Sequence, residues 1–275
     1  MTPVIRQLTY QPPPGADLVE SMSFAALRTV NGGATQRADF HVLAFVRGGQ
    51  GEVSADFTSH ALCPRTVVWI RPGVVHRWTD IAHVTGDLIL FVPTAPVTPA
   101  AQDLVANAEA AGCWPADSPA WRLITAALAH LQLESVPATV ADPRTRELPR
   151  LLLSALLLRL SPPAEASGSG NETFRRFQAA VETGFRVHHD LGHYARALGW
   201  SARTLSRTCQ AATGRTAKQY VTDRLLLEAK RLLAYDGLSP ARCGQRLGFP
   251  DASNFSAFFL RNAGVRPGAW QATNR

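Results

Sequence analysis

Apolar and polar positions divide the chain into two regimes. Between residues 40 and 93, short apolar runs alternate with turn residues. FHVLAFVRGGQGEVSAD (40–56) predicts two strands joined by a glycine-rich turn. TVVWIRPGVVHRWTD (66–80) adds β-branched and aromatic residues interrupted at Pro72-Gly73, and DLILFVP (87–93) is another compact strand. Strands this short and closely spaced predict an antiparallel barrel or sandwich. After residue 100 the period lengthens, and helices are expected at 100–111, 118–134 and 145–160. In the last of these Leu148, Leu151, Leu152, Leu156 and Leu160 recur at spacings of three and four, a wide apolar face suited to core packing or to a dimer contact.

SPPAEASGSGNE (161–172) has no large apolar side chain and reads as a linker. Everything beyond it reads as helical: 172–187, 190–198, a turn at 199–201, 202–212 and a long helix at 216–235. Then a short helix, a turn and a second helix follow again. The expected domains are therefore 1–160, a linker at 161–172, and 173–275.

The last part repeats itself. Leu198-Gly199-Trp200 aligns with Leu247-Gly248-Phe249. One residue more in the second turn then aligns Leu205 with Phe255, Ser206 with Ser256, Gly214 with Gly264, and Tyr220 with Trp270. Two copies of one unit are stronger evidence than either alone. Each unit has a first helix, a glycine able to take positive φ, an aromatic wedge and a second helix. That is a helix-turn-helix, whose second helix enters the major groove of DNA. The joining helix, with about 20 residues at ~1.5 Å each, would extend about 30 Å. One turn of B-DNA is about 34 Å, so two such helices could enter successive grooves on one face of a duplex.

Charge supports this reading. Residues 1–170 carry 12 Lys and Arg against 14 Asp and Glu, whereas residues 171–275 carry 16 against 7. The whole positive excess lies in the helical part, the electrostatic footprint of a nucleic-acid-binding module. The chain of 275 residues is 46% hydrophobic and 18% charged, a globular composition. Its longest apolar run, LLLSALLLRL (151–160), is far short of the roughly 20 residues that span a bilayer. Cys63, Cys113, Cys209 and Cys243 form no CxxC pair, and MTPVIRQLTYQPPPG has no apolar leader core. A cytoplasmic protein without a membrane partner is expected.

The helical part resembles the AraC/XylS family of bacterial transcription regulators. The first unit resembles the family in LGWSARTLSRTCQAATGRTAKQYV, with Ser201, Leu205, Arg207, Gly214 and Tyr220 in place. The linker helix does so in RLLLEAKRLL, with Arg224, Leu225, Ala229, Leu232 and Leu233. The second unit does so in LGFPDASNFSAFFLRNAGVRPGAW, with Gly248, Phe249, Asp251, Ser253, Phe255, Phe259, Gly264 and Pro267. The resemblance implies an α+β protein: an N-terminal cupin-like β-barrel sensor with helices, then an all-α domain with two helix-turn-helix units joined by a linker helix. It implies operator or promoter DNA as partner and RNA polymerase as a further partner of an activator, while the apolar face of the 145–160 helix is the expected surface of a homodimer. Expected DNA-binding residues are Arg203, Ser206 and Arg207 in the first unit, and Ser253, Asn254, Ser256 and Arg261 in the second. Arginine can read guanine bidentately or neutralise a phosphate. The chain departs from the family at Ala257 and Leu260, usually basic, at Cys209, usually Phe, and at Cys243-Gly244, usually Ile-Ala. The first two departures imply a weaker grip by the second unit.

The N-terminal half is similar to cupin-type sensors, most clearly in RPGVVHRW, which matches the Pro-x-Gly-x-x-His of the second cupin motif. The first motif, with its His-x-His and Glu, is represented only by His41 and Glu52, so neither a metal nor another cofactor is expected. A small-molecule effector is expected instead, in a pocket lined by His41, Trp69, His76 and Trp78. Two other classes stay open: a metal-dependent cupin-type enzyme with a helical appendage, and a scaffold that binds protein through its helices.

Overall fold

A computed structural model describes residues 5–9, 18–31, 33–107, 111–113, 119–135, 143–160 and 169–274. The chain divides into two compact units, one ending at Pro163 and the other beginning at Ala164.

The first unit is a mixed α+β structure. Its strands are β1 (Arg6–Leu8), β2 (Val19–Ser23), β3 (Gln36–Ala38), β4 (His41–Gly48), β5 (Gly51–Ala55), β6 (Thr58–Leu62), β7 (Thr66–Ile70), β8 (Val75–Asp80), β9 (Thr85–Phe91) and β10 (Ala111–Cys113). They form two five-stranded sheets, ordered β1-β3-β8-β5-β6 and β10-β7-β4-β9-β2. This is a sandwich: among the described residues no strand pairing closes the two sheets into one barrel.

The two strands expected within 40–56 are present, but β4 pairs with β7 and β9 while β5 pairs with β6 and β8. The glycine-rich turn therefore carries the chain from one sheet to the other. It passes so close to residues 80–84 that a Cβ on Gly49 would lie 2.0 Å from the His83 carbonyl oxygen, and one on Gly51 1.9 Å from that of Asp80. Side chains do not fit there, which is why glycine occurs twice in the turn.

Strand β4 is buried on both faces. Val42, Ala44 and Val46 join Val53, Leu62, Val68, Ile70, Trp78 and Leu88 between the sheets. Leu43 and Phe45 face the other way, with Val67, Ile89 and Phe91. That outer face is covered by three helices, α2 (Pro99–Asn107), α3 (Pro119–Glu134) and α4 (Pro143–Leu160). The first helix, α1 (Phe24–Asn31), lies earlier and was not expected from the sequence. It sends Phe24 and Leu27 into the intersheet core, with Phe24 edge-on to Trp78 at 5.8 Å.

Helix α4 answers the question its leucines raised. Leu153, Leu156 and Leu157 are fully buried against the sheet. Arg150 donates to the carbonyls of Ala95 and Thr94 at 2.9 Å each, and Ser154 accepts from the Val97 amide at 3.0 Å. Leu156 therefore belongs to the core and to no external contact. Its exposed apolar positions are Leu148, Leu151, Ala155 and Leu158, spaced three, four and three apart.

In the second unit α5 (Ser169–Gly184) starts inside the stretch expected to be linker, helped by Glu172 in its first turn. The rest of that stretch, 161–168, lies outside the described residues. Then follow α6 (Leu191–Leu198), α7 (Ala202–Thr213), α8 (Ala217–Ala234), α9 (Pro240–Arg246), α10 (Ala252–Ala263) and α11 (Pro267–Thr273). Among the described residues no helix is long and apolar enough to cross a membrane.

Leu156→Ala should lower stability by about 2–5 kcal/mol, the range for a fully buried leucine. Leu133→Ala, on α3 and 76% exposed, should change it by less than about 0.5 kcal/mol. Urea denaturation of both variants checks the contrast, and equal losses would contradict the packing described.

Candidate nucleic-acid interface

The repeat inferred from sequence is a repeat of geometry. Helices α7 and α10 each span 12 residues and end on a left-handed glycine, Gly214 at φ 70° and Gly264 at φ 77°. At their starts the Ser201 hydroxyl accepts from the Thr204 amide, and the Asp251 carboxylate accepts from the Asn254 amide. The preceding turns match as well. Gly199 and Gly248 take φ 71° and 72°. The Trp200 amide donates to Ala195 O at 2.9 Å, and the Phe249 amide donates to Gly244 O at 3.0 Å.

Each second helix is held by two fully buried side chains, Leu205 and Cys209 in α7, Phe255 and Phe259 in α10. At 3.6 residues per turn these place an opposite stripe away from the core. In α7 that stripe is Arg203, Arg207 and Gln210. In α10 it is Ser253, Ala257 and Leu260. All six are exposed.

The sequence-expected residues fall accordingly. Arg203 and Arg207 lie on the stripe of α7, with half-buried Ser206 at its edge. Ser253 lies on the stripe of α10, half-buried Ser256 at its edge, and exposed Arg261 beside it. Asn254 is exposed, but its amide nitrogen donates to the Asp251 carboxylate at 2.8 Å, so it is engaged in the helix cap. Gln210 was not anticipated, although its spacing of three from Arg207 is a visible signal. Its amide donates to Gly214 O at 2.8 Å.

The aromatic residues of the second unit form one chain of contacts. Phe249 lies 5.4 Å from Phe255 and 5.1 Å from Phe258, Phe255 lies 5.9 Å from Phe259, and Phe259 lies 5.8 Å from Trp270. Glycine at 244 permits this, since a Cβ there would sit 2.9 Å from that of Phe255. The Phe in α10 and the Gly in α9 are one fitted pair.

Helix α5, the helix expected at 172–187, packs into the core of the same unit. Phe174, Phe177, Val181 and Phe185 enter the same core as the two helix-turn-helix units. Phe177 meets Tyr194 at 5.9 Å and Tyr220 at 5.8 Å, and the Arg176 guanidinium lies 5.0 Å over Trp200. A charged network adds to the packing. Glu228 of α8 is 4% exposed and accepts from Arg186 at 2.6 Å, with Arg224 and Arg231 each at 3.4 Å. Arg224 also pairs with Glu182 of α5 at 2.9 Å and covers the Phe185 ring at 3.9 Å. Burial alone would raise the Glu228 carboxyl. The Arg186 hydrogen bond and the three guanidinium charges outweigh it and hold the group at about 2.

In the first unit the expected effector residues form two separate pairs. His41 stacks on Phe91 at 4.7 Å, and its Nδ1 accepts from the Trp69 indole at 3.1 Å, on the helix-covered face of the sheet. Burial, and then the charge of Arg71, push His41 down to about 3, so the ring is neutral. His76 and Trp78 meet edge-on at 6.1 Å, with Trp78 in the intersheet core. Burial lowers His76 too, against the opposing pull of the Val74 carbonyl and Asp56. The four do not line one space, because alternate residues of a strand point to opposite faces. Among the described residues no three His, Cys, Asp or Glu side chains come together to hold a metal. Cys63, Cys209 and Cys243 are free thiols.

A family model described as a helix-turn-helix domain matches residues 194–273. The HTH-type transcriptional activator RhaR of Cronobacter sakazakii is 27% identical over 162 residues, 56% of this chain and 57% of that protein. The activator of the same name from Escherichia coli O1:K1 is 23% identical over 255 residues, 86% of each chain. The chain thus spans little more than half of the first relative and most of the second. The crystal structure of the DNA-binding domain of AdpA, the global transcriptional factor, in complex with a target DNA aligns at a TM-score of 0.33. That alignment has 26% identity and covers 39% of this chain and 93% of that one.

The depressed Glu228 carboxyl stabilises the second unit above its ordinary value of 4.5, and the contribution is lost as pH falls toward 2. Glu228→Gln should therefore lower stability by on the order of 3 kcal/mol at pH 7 and by less than half of that at pH 3. Denaturant unfolding at the two pH values tests it. An equal difference at both would show that the charge is not what holds α5 to α8.

Proposed function

We propose that this chain, a transcription regulator of the AraC/XylS family, grips operator DNA with both helix-turn-helix units and is switched by a small molecule bound in its N-terminal unit. The observation that carries the reading is the paired stripe on α7 and α10, each turned away from the core that the two units share. Helix α8, 18 residues long, extends roughly 27 Å at 1.5 Å per residue. That length suits two recognition helices entering successive major grooves, about 34 Å apart.

Arg203 and Arg207 supply the principal contacts, reading guanine edges or neutralising phosphate. Ser206, Ser253 and Ser256 reach base edges more weakly, Asn254 holds its helix start, and Arg261 meets the backbone. The N-terminal sandwich is read as a cupin-like sensor. Its effector acts by binding two arrangements of the sensor unequally, which shifts their populations. Neutral, hydrogen-bonded His41 serves the packing of the sheet, so the effector site is sought between the sheets, near His76 and Trp78. The regulators to which the chain is similar are named activators. That favours activation here, with RNA polymerase as the protein partner and the cytoplasm as the place of action.

Dimerisation is assigned to the exposed stripe Leu148, Leu151, Ala155 and Leu158 of α4. Its three-four-three spacing is that of a helix seam.

Arg207→Ala should weaken binding to the selected operator by about 1–3 kcal/mol and make affinity less steeply dependent on salt. Fluorescence anisotropy over a salt series measures both, and unchanged affinity in the folded variant removes Arg207 from the interface. Leu151→Glu with Leu158→Glu should sediment as a monomer, whereas a persisting dimer would locate the seam elsewhere.

A further inference from the structure

The stripes of α7 and α10 have the same placement and opposite chemistry. Arg203, Arg207 and Gln210 stand where α10 has Ser253, Ala257 and Leu260. Leu260 is 40% exposed, a large apolar side chain that follows exposed Ala257 one turn on along the same outward stripe. The second helix-turn-helix is basic: Arg261 on the same helix, Arg242 and Arg246 on α9, and Arg266 before α11 are all exposed. An apolar stripe on a basic unit suits a DNA groove, where phosphates flank the base edges.

The chemistry of the stripe selects among bases. In the major groove guanine, cytosine and adenine present only donors and acceptors, and thymine alone adds a methyl group. Ala257 and Leu260 have nothing to offer a donor or an acceptor. Beside the stripe, the amide nitrogen of Asn254 is engaged by the Asp251 carboxylate at 2.8 Å. From this we infer that the second helix-turn-helix recognises thymine C5-methyl groups through Ala257 and Leu260, while the first reads its half-site through arginine. The inference rests on α10 entering the major groove, as proposed above. It makes the departures at these two positions a change of code: the operator has one half specified by guanine and one by thymine methyls.

The test uses the full-length protein and a duplex enriched from a random pool. Loss of preference in Arg207→Ala identifies the half-site of the first unit. In the other half each thymine is replaced by deoxyuridine, which removes the methyl and keeps the pairing edge. Affinity should fall about fourfold for each contacted methyl, about 0.8 kcal/mol. For the thymine under Leu260 the loss should vanish in Leu260→Ala. Deoxyuridine without effect at every position of that half overturns the inference. So does a second half-site specified by G·C pairs, or one with no sequence preference, and in those cases DNA recognition by the first unit still stands. No enriched duplex at all would instead remove the DNA-binding reading on which the inference depends.

Discussion

The roll of each recognition helix about its own axis is the constraint on which the rest of this protein depends. Two fully buried residues set it in each case, Leu205 with Cys209 and Phe255 with Phe259. Because they lie about one helical turn apart, they define a single inward direction and with it a single outward stripe. Rotating either helix by one residue would bury a polar group and expose an aromatic or aliphatic one. Packing of the core and presentation of the two outward stripes are therefore one choice, made by the same four residues.

That choice is relayed between the units by α8. Its apolar positions Val221, Leu225, Leu226, Ala229, Leu232 and Leu233 belong to the shared core. Its buried Glu228 gathers Arg186 from the turn after α5 and two arginines from α8 itself. A buried carboxylate without such partners would be strongly destabilising, so the network favours one arrangement of α5 against the linker helix over its alternatives. At the far end Gln271 of α11 donates to Leu233 O at 2.7 Å and to Leu238 O at 2.9 Å, satisfying carbonyls where the linker helix finishes. The helix is thus held at its middle and at its C-terminal end by side chains that come from outside it.

In the first unit the controlling fact is that β4 is covered twice. Its even residues meet the second sheet and its odd residues meet α2, α3 and α4. Two histidines that look equivalent in a list of aromatic and polar residues are thereby separated. His41 becomes a neutral packing element of the outer layer, and His76 lies with Trp78 on the intersheet side.

The sequence by itself determined the features that depend on near neighbours. Glycines at positive φ, helix caps at Ser201 and Asp251, the three-four spacing of apolar residues and the concentration of basic charge after residue 170 are all local. They specify two helix-turn-helix units, their recognition helices and the placement of Arg203 and Arg207. Only the tertiary structure decided which leucines of α4 are covered, which side chains of α5 enter the core of the second unit, that the turn at Gly49 and Gly51 joins different sheets, and that His41 and His76 part company. The reason is physical. A strand buried on both faces carries no alternation, and a helix rich in leucine carries more apolar positions than one contact can cover. In both cases the direction of each side chain is chosen by what packs against it from far along the chain.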